Sequence, residues 1–136
     1  YSVNWFNLPL LDAQGRDAGA LFSADEHRFG IHAGDIETSM MLALRPERVC
    51  MQHARNFRSS SQDRAETWPL LGNGRSARLG WQMQDYNPSG AVGDAAAATP
   101  EKGRALIEAA GLQLARLLDE VSKLPLSTLH DPAADA

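Results

Sequence analysis

The chain reads as an α/β domain, and three observations predict it. The run Thr99 to Val121 repeats apolar residues at spacings of three and four, as one face of a helix does. A second apolar run, Ile36 to Leu44, follows a polar start that suits a capped helix. Tyr1–Phe6 and Leu79–Tyr86 are strand candidates, the first rich in aromatic and β-branched residues, the second alternating at Leu79, Trp81 and Met83.

Taken in order, the chain opens with the strand candidate Tyr1–Phe6. Natural chains rarely begin inside a strand, so a piece of a longer protein is expected. Asn7-Leu8-Pro9 leaves the strand, and Leu11–Asp17, with Gly15, reads as a surface loop. Ala18–Phe22 suits a helical turn or a strand end. Asp25-Glu26-His27-Arg28 is a charged lead. Its acids and histidine are metal-ligand types, but adjacent charges favour a solvated segment.

Gly30-Ile31-His32-Ala33-Gly34-Asp35-Ile36-Glu37-Thr38-Ser39 then concentrates an imidazole, two carboxylates and small residues just ahead of the apolar run. Asp35 is the expected N-cap, worth about 1 kcal/mol. Glu37 falls in the first turn, where the helix dipole favours an anion. His32 lies just before it, in a field that favours a neutral imidazole able to accept a proton. His32 and Glu37 read either as an acid–base pair or as a loop histidine beside an ordinary first-turn acid. The stripe Ile36, Met40, Ala43 and Leu44, widened by Met41, predicts a buried helix. Pro46 ends it at Arg45 and can start a further helical turn.

Cys50, the single cysteine, reads as a small buried hydrophobe. It excludes an internal disulfide and fits a reducing cytoplasm. Gln52–Arg78 is polar, carries Arg55, Arg58, Arg64, Arg75 and Arg78, and reads as a long connection: a solvated loop, or a segment that packs on a neighbouring subunit or closes over a site. His53 carries no expected role. Asn87–Gly90 is a turn and Gly93-Asp94 closes an extended piece. Thr99 caps the last helix, with Pro100 at its first position and Leu106 or Ile107, Ala110, Leu114, Leu117 and Val121 as its apolar stripe. Pro125 stops it. Residues 126–136 form an expected loose tail, in which His130 has no role.

Length suits one domain over 1–125; a chain of 136 residues buries about two-thirds of its unfolded surface. A net charge of −4 gives no reason to expect nucleic acid or an anionic membrane as partner. No apolar run approaches membrane-spanning length, no signal-peptide pattern is present, and no internal repeat is found.

His32-Ala33-Gly34-Asp35-Ile36-Glu37-Thr38-Ser39, with Met40-Met41-Leu42 and Arg45-Pro46-Glu47-Arg48-Val49, closely resembles the HAG-x-x-ETS segment of the creatininase (creatinine amidohydrolase) family. Gly90-Ala91-Val92-Gly93-Asp94, Ala98-Thr99 and Glu101-Lys102-Gly103 resemble its G-V-x-G-D-P…A-T-x-x-K-G segment, with Ala95 where proline is usual. The resemblance runs from Tyr1 to about Val121 and covers the C-terminal half of the family only.

That resemblance implies a three-layer α/β/α sandwich with a mainly parallel sheet, of which this chain supplies the C-terminal portion. It implies part of a metal-dependent amidohydrolase that cleaves a C–N amide bond in a small, often cyclic, amide. His32 would shuttle the proton and Glu37 would orient it. Arg28 stands where a substrate-holding tryptophan occurs in better-known members, and reads as an anion contact or as a solvated arginine. Ala33 and Gly34 would shape the pocket. A divalent metal pair, zinc or manganese, is implied for the full-length member, held by the missing N-terminal half; no metal ligand is assigned in this chain, and none is expected to bind to it alone. A homo-oligomer is implied as well, with Trp5, Trp81 or Gln52–Arg78 near the contact. The alternative is a non-catalytic domain or remnant acting mainly in subunit association.

Overall fold

Thr99 and Pro100 begin the longest element where their positions predict it. In the computed structural model, which describes residues 2–129, the Thr99 hydroxyl accepts from the backbone N–H of Lys102, 3.3 Å away. The other helices are α1 (Ala24–Phe29), α2 (Asp35–Leu44) and α3 (Ser60–Thr67), and the long one is α4 (Pro100–Lys123). Strands β1 (Asn56–Phe57) and β2 (Gly93–Asp94) form a small antiparallel sheet, pairing Asn56 with Asp94 and Phe57 with Gly93. Short 3₁₀ turns link these elements, and isolated bridges join Leu11 to Asp17 and His32 to Val92.

The chain is therefore mixed helix and small sheet, with α2 packed on α4 at its centre. A Cβ on Gly103 of α4 would collide with the backbone carbonyl of Ser39 on α2, so only glycine permits this approach. Phe22 and Ala18 fill the core against Leu106 and Ala109, flanked by Leu10, Ile36 and Met40. Gln113 is buried too, and its amide donates to the carbonyl of Leu11 at 2.7 Å.

Several expectations change. The stretch Trp5–Asn7 is a 3₁₀ turn rather than a strand, because Asn4 caps it: its side chain accepts from the amide of Phe6 at 3.1 Å. Leu79–Tyr86 has no strand partner; its end becomes the turn Met83–Asp85, held by the Asp85 carboxylate on the amide of Gln82 at 2.9 Å. The long connection instead contains β1 and α3, whose cap Ser59 is almost fully buried. Ser60 donates to the carbonyls of Tyr86 and Asp85, both at 2.8 Å, and so ties α3 to that turn. Among the described residues the only regular sheet is antiparallel, not the mainly parallel one expected.

The buried face of α2 is also not the predicted one. Asp35 and Ser39 are its buried residues, whereas Met41 and Leu44 are exposed and Ile36 and Met40 are half-buried. Polar pairing, rather than apolar area, decides the face. In α4 the buried line is Gly103, Leu106, Ala109 and Gln113, one step round from the predicted stripe, and Val121 is exposed. Cys50 is exposed between two surface turns, Pro46–Arg48 and Met51–His53. Residues 126–129 are exposed and include one short turn; Tyr1, His130 and the rest of the expected tail lie outside the described residues. Among the described residues, no helix is long and apolar enough to cross a membrane.

Candidate functional site

The site is built where the chain turns into α2. His32 lies in the preceding loop, as expected, but the cap position belongs to Gly34, which has no side chain to offer. Asp35 is the first helical residue. Its carboxylate turns inward instead of capping, because stronger partners lie there. Oδ2 meets Lys102 Nζ at 2.7 Å and Oδ1 accepts from the Ser39 hydroxyl at 3.0 Å. The Ser39 oxygen in turn accepts from the amide of Thr99 at 3.1 Å. The two sequence blocks are thus joined through α2 and α4.

Glu26 supplies the cap that Gly34 lacks. It is 7 % exposed, not solvated as its charged neighbours suggested. Oε1 accepts from the amide of Ile36 at 3.1 Å and Oε2 from that of Asp94 at 3.0 Å. Gly30, Gly34 and Gly93 surround the carboxylate, and a Cβ on any of them would collide with it or with nearby backbone. The neighbouring Asp25 and His27 are exposed, and the ring Nε2 of His27 lies 2.8 Å from the carbonyl of Gly19.

Glu37 reaches back over the same turn. Oε2 accepts from the amide of Ala33 at 2.7 Å and lies 3.2 Å from Nδ1 of His32. Ala33 is held in the left-handed region at φ +54°, a conformation that costs a non-glycine residue about 1–2 kcal/mol. Thr38 pins its other side, donating to the Ala33 carbonyl at 3.3 Å. His32 is fixed on its backbone as well. The amides of Ile31 and His32 both donate to the Val92 carbonyl, and the Val92 amide donates to the His32 carbonyl at 2.7 Å. The ring itself is more than half exposed. The arrangement therefore holds an accessible imidazole at a set place, with a carboxylate against Nδ1 and Nε2 left to handle a proton.

Of the other predicted residues, Arg28 is exposed, and its guanidinium lies over the adjacent Phe29 ring, 4.7 Å from the centroid. Ala33 is half-buried and Gly34 is buried, packed against Glu26 and Gly93. Sequence reasoning missed Glu26, Asp35 as an ion-pair partner, Lys102 and Ser39. The signal available for Glu26 was the glycine pair at Gly30 and Gly34, which leaves room for one side chain.

The residues present do not fit a metal pair. Glu26 spends both oxygens on backbone amides, Asp35 is taken by Lys102 and Ser39, and Glu37 faces Ala33 and His32. Among the described residues no three His, Cys, Asp or Glu side chains gather in a metal-holding group.

A family model described as "Creatininase: Creatinine amidohydrolase" matches residues 5–118. The crystal structure of a candidate creatinine amidohydrolase from Bacteroides fragilis NCTC 9343 is similar, with a TM-score of 0.66 and 26 % identity. That similarity covers 91 % of this chain but 43 % of the other, so this chain spans less than half the length of that structure. No curated protein matches.

Proposed function

The chain belongs to the creatininase family, and from that premise we propose that it is the C-terminal part of an amidohydrolase that opens a C–N bond in a small, often cyclic, amide. The observation that carries the reading is the pairing of an exposed His32 with Glu37, 3.2 Å apart, on a loop pinned by Val92, Glu37 and Thr38. With Nδ1 facing Glu37, Nε2 is the nitrogen free to act. It takes a proton as water attacks the amide carbon and returns it to the leaving nitrogen as the C–N bond breaks. Glu37 keeps the ring oriented through both steps. The left-handed Ala33 and the buried Gly34 would shape the floor beside His32, and Arg28 would meet an anionic group of the substrate.

The family is generally metal-dependent, and a bound divalent ion, zinc or manganese, would polarise the amide carbonyl and activate water. The residues of this chain do not supply its ligands, and we assign them to the N-terminal half that completes the longer relatives. The three-layer sandwich with a mainly parallel sheet belongs to that completed fold. A cytoplasmic setting, suggested by the single thiol, stays part of this reading.

Assay of the longest natural chain carrying this sequence, with creatinine and other small cyclic amides and added zinc or manganese, tests the proposal. His32→Ala should lower kcat by roughly 10²–10⁴-fold, the usual reach of positioned proton transfer. Full activity in that variant would sink the reading.

A second reading, an association domain without catalysis, draws support from the apolar side chains left outside. Leu118 and Val121 are exposed along α4 and Leu124 just past its end, and Phe6 and Trp81 are half exposed elsewhere. Either reading places copies of the chain in a homo-oligomer. Light scattering should find more than a monomer at tens of micromolar, and a clean monomer would remove the association reading.

A further inference from the structure

We propose that Glu26 is the positioning residue for His32, a buried carboxylate that continues the backbone pairing where the chain itself cannot. The His32–Val92 bridge stops at once, because beyond His32 the chain turns at Gly34 into α2 while beyond Val92 it runs into β2. The two backbones still come close: a Cβ on Gly93 would lie 2.6 Å from Cα of Gly34. No ladder bond is possible across this gap, since one side is already turning into a helix.

Glu26 fills it from α1. One oxygen accepts from Ile36 on the helical side, the other from Asp94 on the strand side. Both partners are donors, so a carboxylate satisfies them and a carboxamide cannot. Glutamine would turn an –NH₂ against one of the two N–H groups. The Ile36 amide is also diagnostic. It belongs to the first turn of α2, where no intrahelical acceptor exists. Any protection of that amide has to come from Glu26. Through Ile36 and Asp94 the carboxylate fixes the distance between α2, which carries Glu37, and the strand that holds His32. The His32–Glu37 geometry follows from it.

The catalytic meaning of this role rests on the proposed proton shuttle, but its test needs no substrate. In the ¹⁵N-labelled chain, the Ile36 and Asp94 amides should exchange with solvent more slowly than loop amides. Glu26→Gln should speed at least one of them by roughly tenfold or more, as expected for losing a buried bond to a charged acceptor. The same variant should shift the ring nitrogen signals of His32 while the helical circular dichroism stays. Glu26→Asp, which keeps the charge on a shorter arm, should restore protection of one amide and part of the His32 signal. An Ile36 amide that exchanges at the free rate in the parent chain overturns the proposal, even if no variant folds. So do unchanged His32 signals in a folded Glu26→Gln chain. A failed amidohydrolase assay leaves these readouts where they are, and so bears on the shuttle alone.

Discussion

Two parts of this chain are both rich in glycine and polar residues, and they fold in opposite ways. Around Gly30–Ser39 three polar groups go inside while His32 stays out: Glu26, Asp35 and Ser39 are buried, and each has partners from another element or from the same turn. From Trp68 to Gln82 the apolar groups stay outside. Trp68, Leu70, Leu71, Leu79 and Trp81 are all exposed, and little regular structure forms. Burial here follows the availability of partners rather than the hydrophobicity of the side chain. Glycine acts differently in the two regions as well. Gly34 and Gly93 are both required by close contacts, whereas in the open region only Gly72 is, against the Arg64 carbonyl, and a Cβ on Gly74 or Gly80 would meet nothing within 4 Å.

The sharpest way to break this contrast is to remove a charge from the polar knot. Asp35→Ala leaves the Lys102 ammonium without its carboxylate. Breaking a buried pair on one side costs about 3–5 kcal/mol, and Lys102, whose side chain is 23 % exposed, sets the loss near about 3 kcal/mol. Urea unfolding measures it, and a loss close to the 1 kcal/mol of a simple cap would mean that Asp35 is not a buried partner. Gly103→Ala comes next. Its methyl meets the Ser39 carbonyl, backbone that cannot rotate away, and overpacking of this kind costs about 2 kcal/mol. A neutral result would show that α2 and α4 are farther apart than described.

In the open region the same chemistry should matter little. Trp81 rests edge-to-face on Tyr86 with centroids 5.2 Å apart and is half exposed, so Trp81→Ala should cost about 1 kcal/mol or less. A larger loss, or a drop in oligomer mass, would place that tryptophan in an interface.

The smallest effect concerns Asp12, a half-buried counterpart of Asp35. The backbone N–H of Arg16 is the main cause that holds its carboxyl below the usual range, helped by the Arg16 guanidinium and the amide of Gln14. A depressed folded value means that the carboxylate form is favoured by folding. Its contribution is present above the ordinary carboxylate pKa and fades as pH falls through that value to the lower folded one. Asp12→Asn should therefore flatten the acid end of the stability profile slightly. An unchanged acid limb would show that the turn is already open in solution.

Local chemistry made part of this legible in advance. Thr99-Pro100 and Pro125 bounded α4 because a cap, a fixed φ and a missing N–H act over a few residues. Pro46 bounded α2 for the same reason, and the position of His32 just ahead of that helix followed from Gly34 and the apolar run behind it. Family membership was legible as well, since its two blocks are contiguous in sequence. Strand pairing was not. Tyr1–Phe6 and Leu79–Tyr86 have strand-like composition, yet a strand needs a neighbour, and sequence does not say which stretch will stand beside it.

What only the tertiary structure decided is the use of each polar group at the site. Asp35 has the chemistry of a cap and became an ion-pair partner because Lys102, 67 residues later, lies 2.7 Å away. Glu26 looked like one of several solvated charges and became the bond between Ile36 and Asp94, 10 and 68 residues distant. A carboxylate is satisfied equally well by water, an ammonium or an amide. Which of these it meets depends on which distant backbone closes over it, and here three glycines let that backbone close.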